Sequence, residues 1–322
     1  MIVALALLLG VVLVASSAPA VLDRMIKHRV EPQVVLVTWL VLVTATFLTV
    51  LATLLVVLLP THGPKPILVQ LVHHCWTALR HGAVPQLHEL TALVLLVPVS
   101  IVATLLGRGL LRFTRQQRRM HERHLELLLI TAEAEAGRFS TMWLPHPKPL
   151  AYSVAGIPPF VVATQGVRDE LGAAEADAVI EHERAHLRGR HHMLVGLAEA
   201  LAESVPWVPL TRHSPRLVRM AVELAADRAA ARTHSPAAVR SALRIMADES
   251  GHTTSQLVLG MAESCTQLRL QHLDKLRASS SIVKRLIMAG FATSIAASSP
   301  LLAGMGVLMA IGTVSCPFPF AG

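Results

Sequence analysis

The sequence predicts a mainly α-helical membrane protein, with four transmembrane helices and a cytosolic α+β domain that contains a small sheet. One observation behind this fold class is composition, since 53% of the 322 residues are hydrophobic and only 16% are charged, which is too apolar for an ordinary soluble protein. Another is that the apolar residues are concentrated in long uncharged runs. A third is the more polar segment between the last two runs, which is long enough to bury one core.

Four uncharged runs are each long enough to cross a bilayer, which requires roughly 20 apolar residues. They are Met1 to Leu22, Pro32 to Pro60, Leu90 to Gly107 and Leu286 to Val314. The first run could instead be a cleaved signal peptide, because the small residues at 17–20 would suit a peptidase. However, it lacks the basic start of such peptides and stays apolar to Leu22, so we interpret it as a span.

Basic residues next to the predicted spans indicate the orientation of the chain. They cluster after the first span, after the third span and before the fourth, at Arg24, Lys27, Arg29, Arg108, Arg112, Arg115, Arg118, Arg119, Lys275, Arg277, Lys284 and Arg285. The loop from Thr61 to Glu89 offers only Lys65 and Arg80. Because basic flanks stay cytoplasmic, we expect a multi-pass protein of the cell membrane with both termini outside and the domain between spans three and four in the cytosol.

This topology divides the chain into three parts. Residues 1–111 form three spans with short loops, residues 112–281 form the cytosolic domain, and residues 282–322 form the fourth span and a short outer tail. The net charge of +8 is explained by basic flanks that face anionic lipid. The sequence therefore predicts the lipid bilayer as a partner and no direct binding of nucleic acid.

The outer loop from Thr61 to Glu89 holds a concentration of histidines together with Cys75. It could sense or capture a metal, but an amphipathic helix on the membrane surface is the better explanation, because no fixed acidic partners surround these residues. Cys75, Cys265 and Cys316 have no C-x-x-C spacing, so the sequence indicates neither a disulfide framework nor a zinc knuckle.

The cytosolic segment contains the pattern H-E-x-x-H, formed by His182, Glu183 and His186. The Ala-rich stretch before it, and the absence of Gly and Pro from Ala173 to Arg188, predict a helix. Residues four apart share one face of a helix, so the two imidazoles can bind one zinc ion while Glu183 lies beside it as the candidate general base for a zinc-bound water. The alternative is a basic, solvated helix face that happens to carry histidines.

A catalytic zinc site needs a third protein ligand and leaves a fourth position for water. Glu223 is the candidate ligand, in the helical stretch Met220 to Ala230. Asp227 lies four residues further on and would accept a hydrogen bond from the outer nitrogen of a zinc-binding histidine. The alternative is that both acids lie on an exposed face with Arg219 and Arg228, which the nearby H-E-x-x-H disfavours.

The two motifs, H-E-R-A-H and E-L-A-A-D, resemble those of gluzincin-type integral-membrane metallopeptidases. The similarity is closest to the β-lactam-sensing receptors of the BlaR/MecR family, in a short form without the sensor domain. The membrane stress protease HtpX and the CAAX prenyl protease are more distant relatives with the same site plan. The resemblance covers residues 110–235 and the membrane layout in outline. In the receptors an Asp usually stands five residues after the second zinc histidine, whereas this chain has His191, so any role of that position is in doubt.

This resemblance implies a cytosolic gluzincin-like domain that hydrolyses peptide bonds with Zn²⁺ as its cofactor. The substrate would be a cytosolic or membrane-associated protein, and in the receptor branch it is a transcriptional repressor in a signalling pathway. Quality control of membrane proteins, as in HtpX, is the nearest alternative. A different class, a membrane signalling or scaffold protein with a structural metal site, is less favoured because every residue that catalysis requires is present.

A strand pair before the zinc helix is predicted at Leu150 to Val154 and Phe160 to Ala163, after a loop from Gly137 to Pro149. Gluzincin-like sites hold the substrate backbone on an exposed strand near the zinc helix. The resemblance therefore implies a substrate strand that includes Val154, Phe160, Val161 and Val162. A short apolar run from Leu125 to Ile130 is a further strand candidate.

The remaining helices are predicted from periodicity and from proline positions. The zinc helix is expected to begin near Gly172 and to run past His192, and Met193 to Ser204 either packs on the core or touches the membrane face. Pro206, Pro209 and Pro215 are expected to break the chain before the helix of Glu223. The oxyanion of peptide hydrolysis needs a further donor, for which the candidates are His192, His213 and Arg219.

Overall fold

The computed structural model describes residues 2–58, 97, 100–115, 119, 122, 133–135, 139–251, 256–274 and 282–315. Helices dominate this part of the chain. They are α1 (Ile2–Lys27), α2 (Pro32–Leu58), α3 (residues 100–115), α4 (Gln165–Glu170), α5 (Ala173–Arg188), α6 (His191–Ser204), α7 (Pro209–Thr233), α8 (Pro236–Gly251), α9 (Gln256–Asp274) and α10 (Ile282–Ser315). The strands are β1 (Glu133–Glu135), β2 (Ser140–Leu144), β3 (Ala151–Val154) and β4 (Phe160–Thr164).

Three of the described helices are long and apolar enough to cross a membrane. The candidate spans are Ala4–Lys27 in α1, Pro32–Leu54 in α2 and Met288–Ala310 in α10. The prediction of a mostly helical membrane protein with a small sheet is therefore confirmed. Half of the predicted third span, Leu90 to Gly107, lies outside the described residues. The outer loop, Cys75, Cys316 and the strand candidate at Leu125 to Ile130 also lie outside them; these stay predictions.

Helices α1 and α10, which contain two of the candidate spans, are in direct backbone contact. A Cβ atom added to Gly10 would lie 2.4 Å from the backbone nitrogen of Gly304 and 2.7 Å from the carbonyl oxygen of Pro300. Small residues allow two helices to approach this closely. Close packing then drives helix association in a membrane, because lipid tails are as apolar as the side chains and leave no hydrophobic driving force between helices. Helix α2 packs against both α1 and α10, so the described spans form one bundle.

The long helix α7 joins this bundle to the rest of the chain. Trp39 of α2 is 1% exposed, and its ring N–H donates to the hydroxyl of Ser214 over 2.7 Å. Leu22 on α1 and Val218 on α7 belong to the same buried cluster. The helix of Glu223 is therefore held against the hairpin of α1 and α2, and its position relative to the spans is fixed by packing.

A mixed sheet supports the other site helix, α5. Its described strands lie in the order β1-β2-β4-β3, with β2 and β4 parallel and the outer pairs antiparallel. One face of the sheet packs on α5 through Trp143, Val161 and Ile180. The predicted strand pair is present within a residue at each end, but the predicted loop from Gly137 to Pro149 is wrong in part, because it contains β2.

Two further predictions about helix ends are wrong. Helix α5 stops at Arg188, well before His192, because Gly189 follows it and Arg190 takes a left-handed conformation with φ 48°. A new helix, α6, then starts at His191. Helix α7 already begins at Pro209, a first helical position where proline is well tolerated. Pro215 lies inside this helix and does not break it.

Candidate metal centre

Helices α5 and α7 bring three ligand groups to one point. The Nε2 atoms of His182 and His186 face each other at 3.1 Å. The Glu223 carboxylate straddles them, with one oxygen 3.4 Å from the first ring nitrogen and the other oxygen 3.4 Å from the second. These three residues, the set predicted from the sequence, could hold a metal ion.

His182 is supported by a buried ion pair. Its Nδ1 donates to the Asp227 carboxylate over 3.0 Å, as predicted for that residue. Asp227 is only 2% exposed, and it also accepts two hydrogen bonds of 2.7 and 2.6 Å from the guanidinium of Arg269 on α9. The third nitrogen of the Arg269 guanidinium, Nη1, lies 3.1 Å from the Glu223 carboxylate, so this arginine contacts both acids of α7.

His186 is supported by another imidazole. Its Nδ1 lies 3.0 Å from the Nδ1 of His191, the first residue of α6, which is 7% exposed. Gly189 makes this contact sterically feasible, because a Cβ atom there would lie 2.3 Å from Nε2 of His191. His191 therefore has a contact role in the site that the sequence alone left in doubt.

The two histidine rings have opposite pKa shifts. Burial acts to lower the pKa of His182, but the hydrogen bonds and charges of Asp227 and Glu223 outweigh it and raise that pKa to about 10. For His186, burial and the positive charge of His182 lower the pKa to about 3. Burial opposes the charged form of Glu223 as well, yet the hydrogen bond from His182 and the charges of His182 and Arg269 lower its pKa to about 2. At neutral pH the metal-free cluster therefore carries one proton to be displaced, on His182.

Glu183 faces the edge of the sheet. Its carboxylate accepts hydrogen bonds from the side chain and the backbone of Ser153 on β3. Burial raises the pKa of Glu183 above its ordinary value, although these hydrogen bonds and the charge of His182 oppose the shift. A carboxylate beside the ligands, but not among them, is the arrangement that a general base requires.

A cavity of about 180 Å³ opens beside the ligand groups. The polar part of its lining consists of His182, Glu183, Glu223, Asp227 and Arg269. The apolar part, from α5 and α8, consists of Ala178, Val179, Val239, Ala242, Leu243 and Met246. The cavity can therefore accept an apolar group next to the metal-binding point.

The predicted substrate strand requires a correction. Phe160, Val161 and Val162 lie on β4, which pairs with β2 on one side and with β3 on the other. A strand with both edges paired cannot add a substrate backbone. Val154 ends β3, and no strand among the described residues pairs with the outer edge of β3. Strand β3, with Ser153 against Glu183, is thus the edge that reaches the site.

The predicted oxyanion donors are not among the residues that line the cavity. The exposed ring of His213 donates to the carbonyl of Pro209 over 2.9 Å, and Arg219 pairs with Glu199. His192 follows His191 on α6, and burial lowers its pKa. Arg269 is the cation that the described structure places at the cluster, and no motif marks it in the sequence.

Family models, characterised proteins and solved structures were compared with the chain, and none of them matches. What the site can do therefore follows from its own residues. Two imidazoles and one carboxylate converge on a point, a second carboxylate lies beside them, and a sheet edge and a cavity flank them.

Proposed function

We propose that this chain is a membrane-embedded, zinc-dependent endopeptidase that hydrolyses peptide bonds of a cytosolic or membrane-associated protein. The observation that carries the proposal is the convergence of His182, His186 and Glu223 within 3.1–3.4 Å, with Glu183 held next to them. If the H-E-x-x-H motif lay on a solvated helix face, its two histidines would have no third ligand nearby. Here the third ligand comes from a different helix, 37 positions beyond His186 by the sequence numbering.

The donor set and its spacing fit zinc. Tetrahedral zinc with bonds of about 2.0–2.1 Å separates neighbouring ligand atoms by about 3.3–3.4 Å, and the three separations here are 3.1, 3.4 and 3.4 Å. Two imidazoles with one carboxylate are also a donor set that catalytic zinc takes. Bound zinc would supply Lewis acidity, which lowers the pKa of water and polarises a carbonyl group.

Glu183 then performs the proton transfers. Its carboxylate accepts the proton of the attacking water and returns it to the amine of the departing peptide. A general base works best with a pKa near the working pH, and burial shifts the pKa of Glu183 upward, in that direction. The hydrogen bonds from Ser153 orient the carboxylate toward the site.

Strand β3 is the proposed docking edge for the substrate. An extended peptide that pairs with β3 would pass Ser153 and lie across Glu183, so main-chain hydrogen bonds would hold its backbone. The neighbouring cavity would accept an apolar side chain of that peptide. Arg269 and His191 act behind the ligands, where they hold Asp227 and His186 in place.

The substrate is proposed from resemblance alone. The receptor-like motifs favour a transcriptional repressor, and the basic flanks of the spans favour cytosolic cleavage with both chain termini outside. An HtpX-like role in membrane-protein quality control is the second candidate. A purely structural metal site is disfavoured by Glu183, because a structural site needs no half-buried carboxylate beside its ligands.

The exchange Glu183→Ala tests the proposal. We expect the variant to retain zinc and to lose hydrolysis by about 10²–10⁴-fold, which is the usual contribution of a general base. Protein termini should be compared quantitatively between cells with the wild-type chain and cells with this variant. Substrates are the proteins that are cut in the first and stay uncut in the second. The matched control is Asp177→Ala on the same helix, at an exposed position, which should cleave as the wild type does. Equal cleavage by the Glu183→Ala variant would refute the proposed role.

A further inference from the structure

We propose that the turn between α6 and α7, residues 205–208, is an anchor that inserts Trp207 into the bilayer interface beside the spans. Trp207 is 70% exposed, and the sequence around it, V-P-W-V-P-L, carries no charge between Glu203 and Arg212. An indole in water leaves a large apolar surface hydrated, whereas membrane interfaces accommodate both its ring and its N–H. The occupant of this surface is therefore lipid.

The contacts of α7 place the turn at the height of the spans. Arg232, near the end of α7, lies 3.0 Å from the Glu31 carboxylate, just before α2 begins. Ser214, near the start of α7, contacts Trp39, which lies inside the candidate span of α2. Moving from Glu31 to Trp39 advances about 12 Å into that span. Helix α7 therefore points its first residue, and the turn before it, toward the apolar region.

The contacts of α6 give an independent measure of height. A Cβ atom on Gly196 would meet the ring of Phe113, and one on Gly109 would lie 3.2 Å from Cβ of Ala200. Four residues further along α6, the contacting residue of α3 is therefore four residues earlier in the chain, nearer to the predicted third span. Continued by the same step, the end of α6 at Ser204 reaches the level of residue 105, inside that predicted span.

The residues that follow the turn suit a headgroup layer. Arg212 is exposed, and Arg216 is exposed and pairs with Asp23 near the C-terminal end of α1. Basic side chains just above an inserted apolar segment can extend toward anionic lipid. Both arms of the hairpin also carry parts of the candidate metal centre, His191 on α6 and Glu223 on α7. Under the proposed peptidase function, the anchor keeps that centre at a fixed height above the bilayer.

Fluorescence quenching tests the anchor in the full chain, reconstituted in phosphatidylcholine and phosphatidylglycerol vesicles. Trp39, Trp76 and Trp143 are replaced by Phe so that Trp207 alone emits. We expect lipid brominated at acyl carbons 6 and 7 to quench this emission at least about twofold, and aqueous iodide to quench it little, as for an indole at the interface. The difference between wild type and Trp207→Phe isolates the same signal if the triple variant does not fold.

A single tryptophan at an exposed position of α5 provides the control. Asp177→Trp, in a chain whose four native tryptophans are Phe, should respond to iodide and not to the brominated lipid. A Trp207 emission that behaves like this control would overturn the anchor. The measurement depends neither on zinc nor on hydrolysis, so it can fail while the peptidase proposal stands, and it can succeed while that proposal fails.

Discussion

The two halves of the candidate metal centre lie one helical turn apart and are built differently. On one side, His182 donates to Asp227, a buried carboxylate that Arg269 also binds. On the other side, the outer nitrogen of His186 lies 3.0 Å from a second imidazole, that of His191. The pKa of the first histidine is raised to about 10 and that of the second is lowered to about 3.

This contrast shows that the shared motif does not determine how each ligand behaves. Both histidines come from α5, but their properties come from the helices packed around it. The charged half is stabilised by long-range pairs with α7 and α9, and a metal bound there would have to displace the proton of His182. The neutral half depends on the end of helix α5 at Arg188 and the turn that follows it. It could bind a metal without losing a proton.

Breaking the charged half should have the largest effect. Asp227→Asn removes the buried carboxylate that pairs with the half-buried guanidinium of Arg269, and loss of one member of a buried pair costs about 3–5 kcal/mol in the free energy of unfolding. Zinc affinity should fall by about 10–100-fold, as for other residues behind metal ligands. Chemical denaturation in detergent and a zinc titration measure the two effects.

The control for that variant is Asp274→Asn. Asp274 also pairs with an arginine, Arg240, but it is about half exposed, and an exposed pair contributes about 0–1 kcal/mol. Similar losses of stability in the two variants would contradict the importance of burial in the charged half.

Breaking the neutral half should have a smaller effect that is specific to the metal. With metal on its Nε2, His186 carries a hydrogen on Nδ1 and donates it to His191. His191→Phe removes the acceptor but keeps a ring, so zinc affinity should fall by about 10–100-fold, while no buried charge is left unpaired. Because His191→Asp restores an acceptor, it should recover part of the affinity in the same titration. Equal affinity of the Phe variant and the wild type would mean that His191 does not orient its neighbour.

The sequence predicts the charged half better than the neutral one. His182, His186, Glu223 and Asp227 follow helical spacing, which can be read without knowledge of the tertiary structure. Arg269 could not be predicted, because it reaches the cluster from a helix 42 positions beyond Asp227 and shares no motif with it. The sequence marks His191 only as a departure from the pattern of the family that its motifs resemble, since its contact requires the left-handed Arg190 that separates α5 from α6.

The sheet was predictable only in its local parts. The strands β3 and β4 are marked by apolar residues on each side of a Gly and Pro turn, whereas the short strand β2 lies among turn formers. That β4 is central and β3 is the edge depends on the parallel pairing of β2 with β4, which is a non-local contact. The proposed docking edge is therefore β3 near Ser153, and not Phe160, Val161 and Val162 of β4, which the sequence predicted.

The proposal predicts that one zinc ion binds at this centre and displaces the proton of the charged half. Calorimetric titration with zinc tests this most directly, because repeating it in buffers of different ionisation enthalpy gives the number of protons released. We expect one zinc per chain and about one proton released at both pH 5 and pH 7, because His182 is charged at both values while His186 and Glu223 are already deprotonated. Two histidines with ordinary pKa values near 6.5 would instead release nearly two protons at pH 5 and about half a proton at pH 7. That pattern, or the absence of stoichiometric binding, would contradict the account.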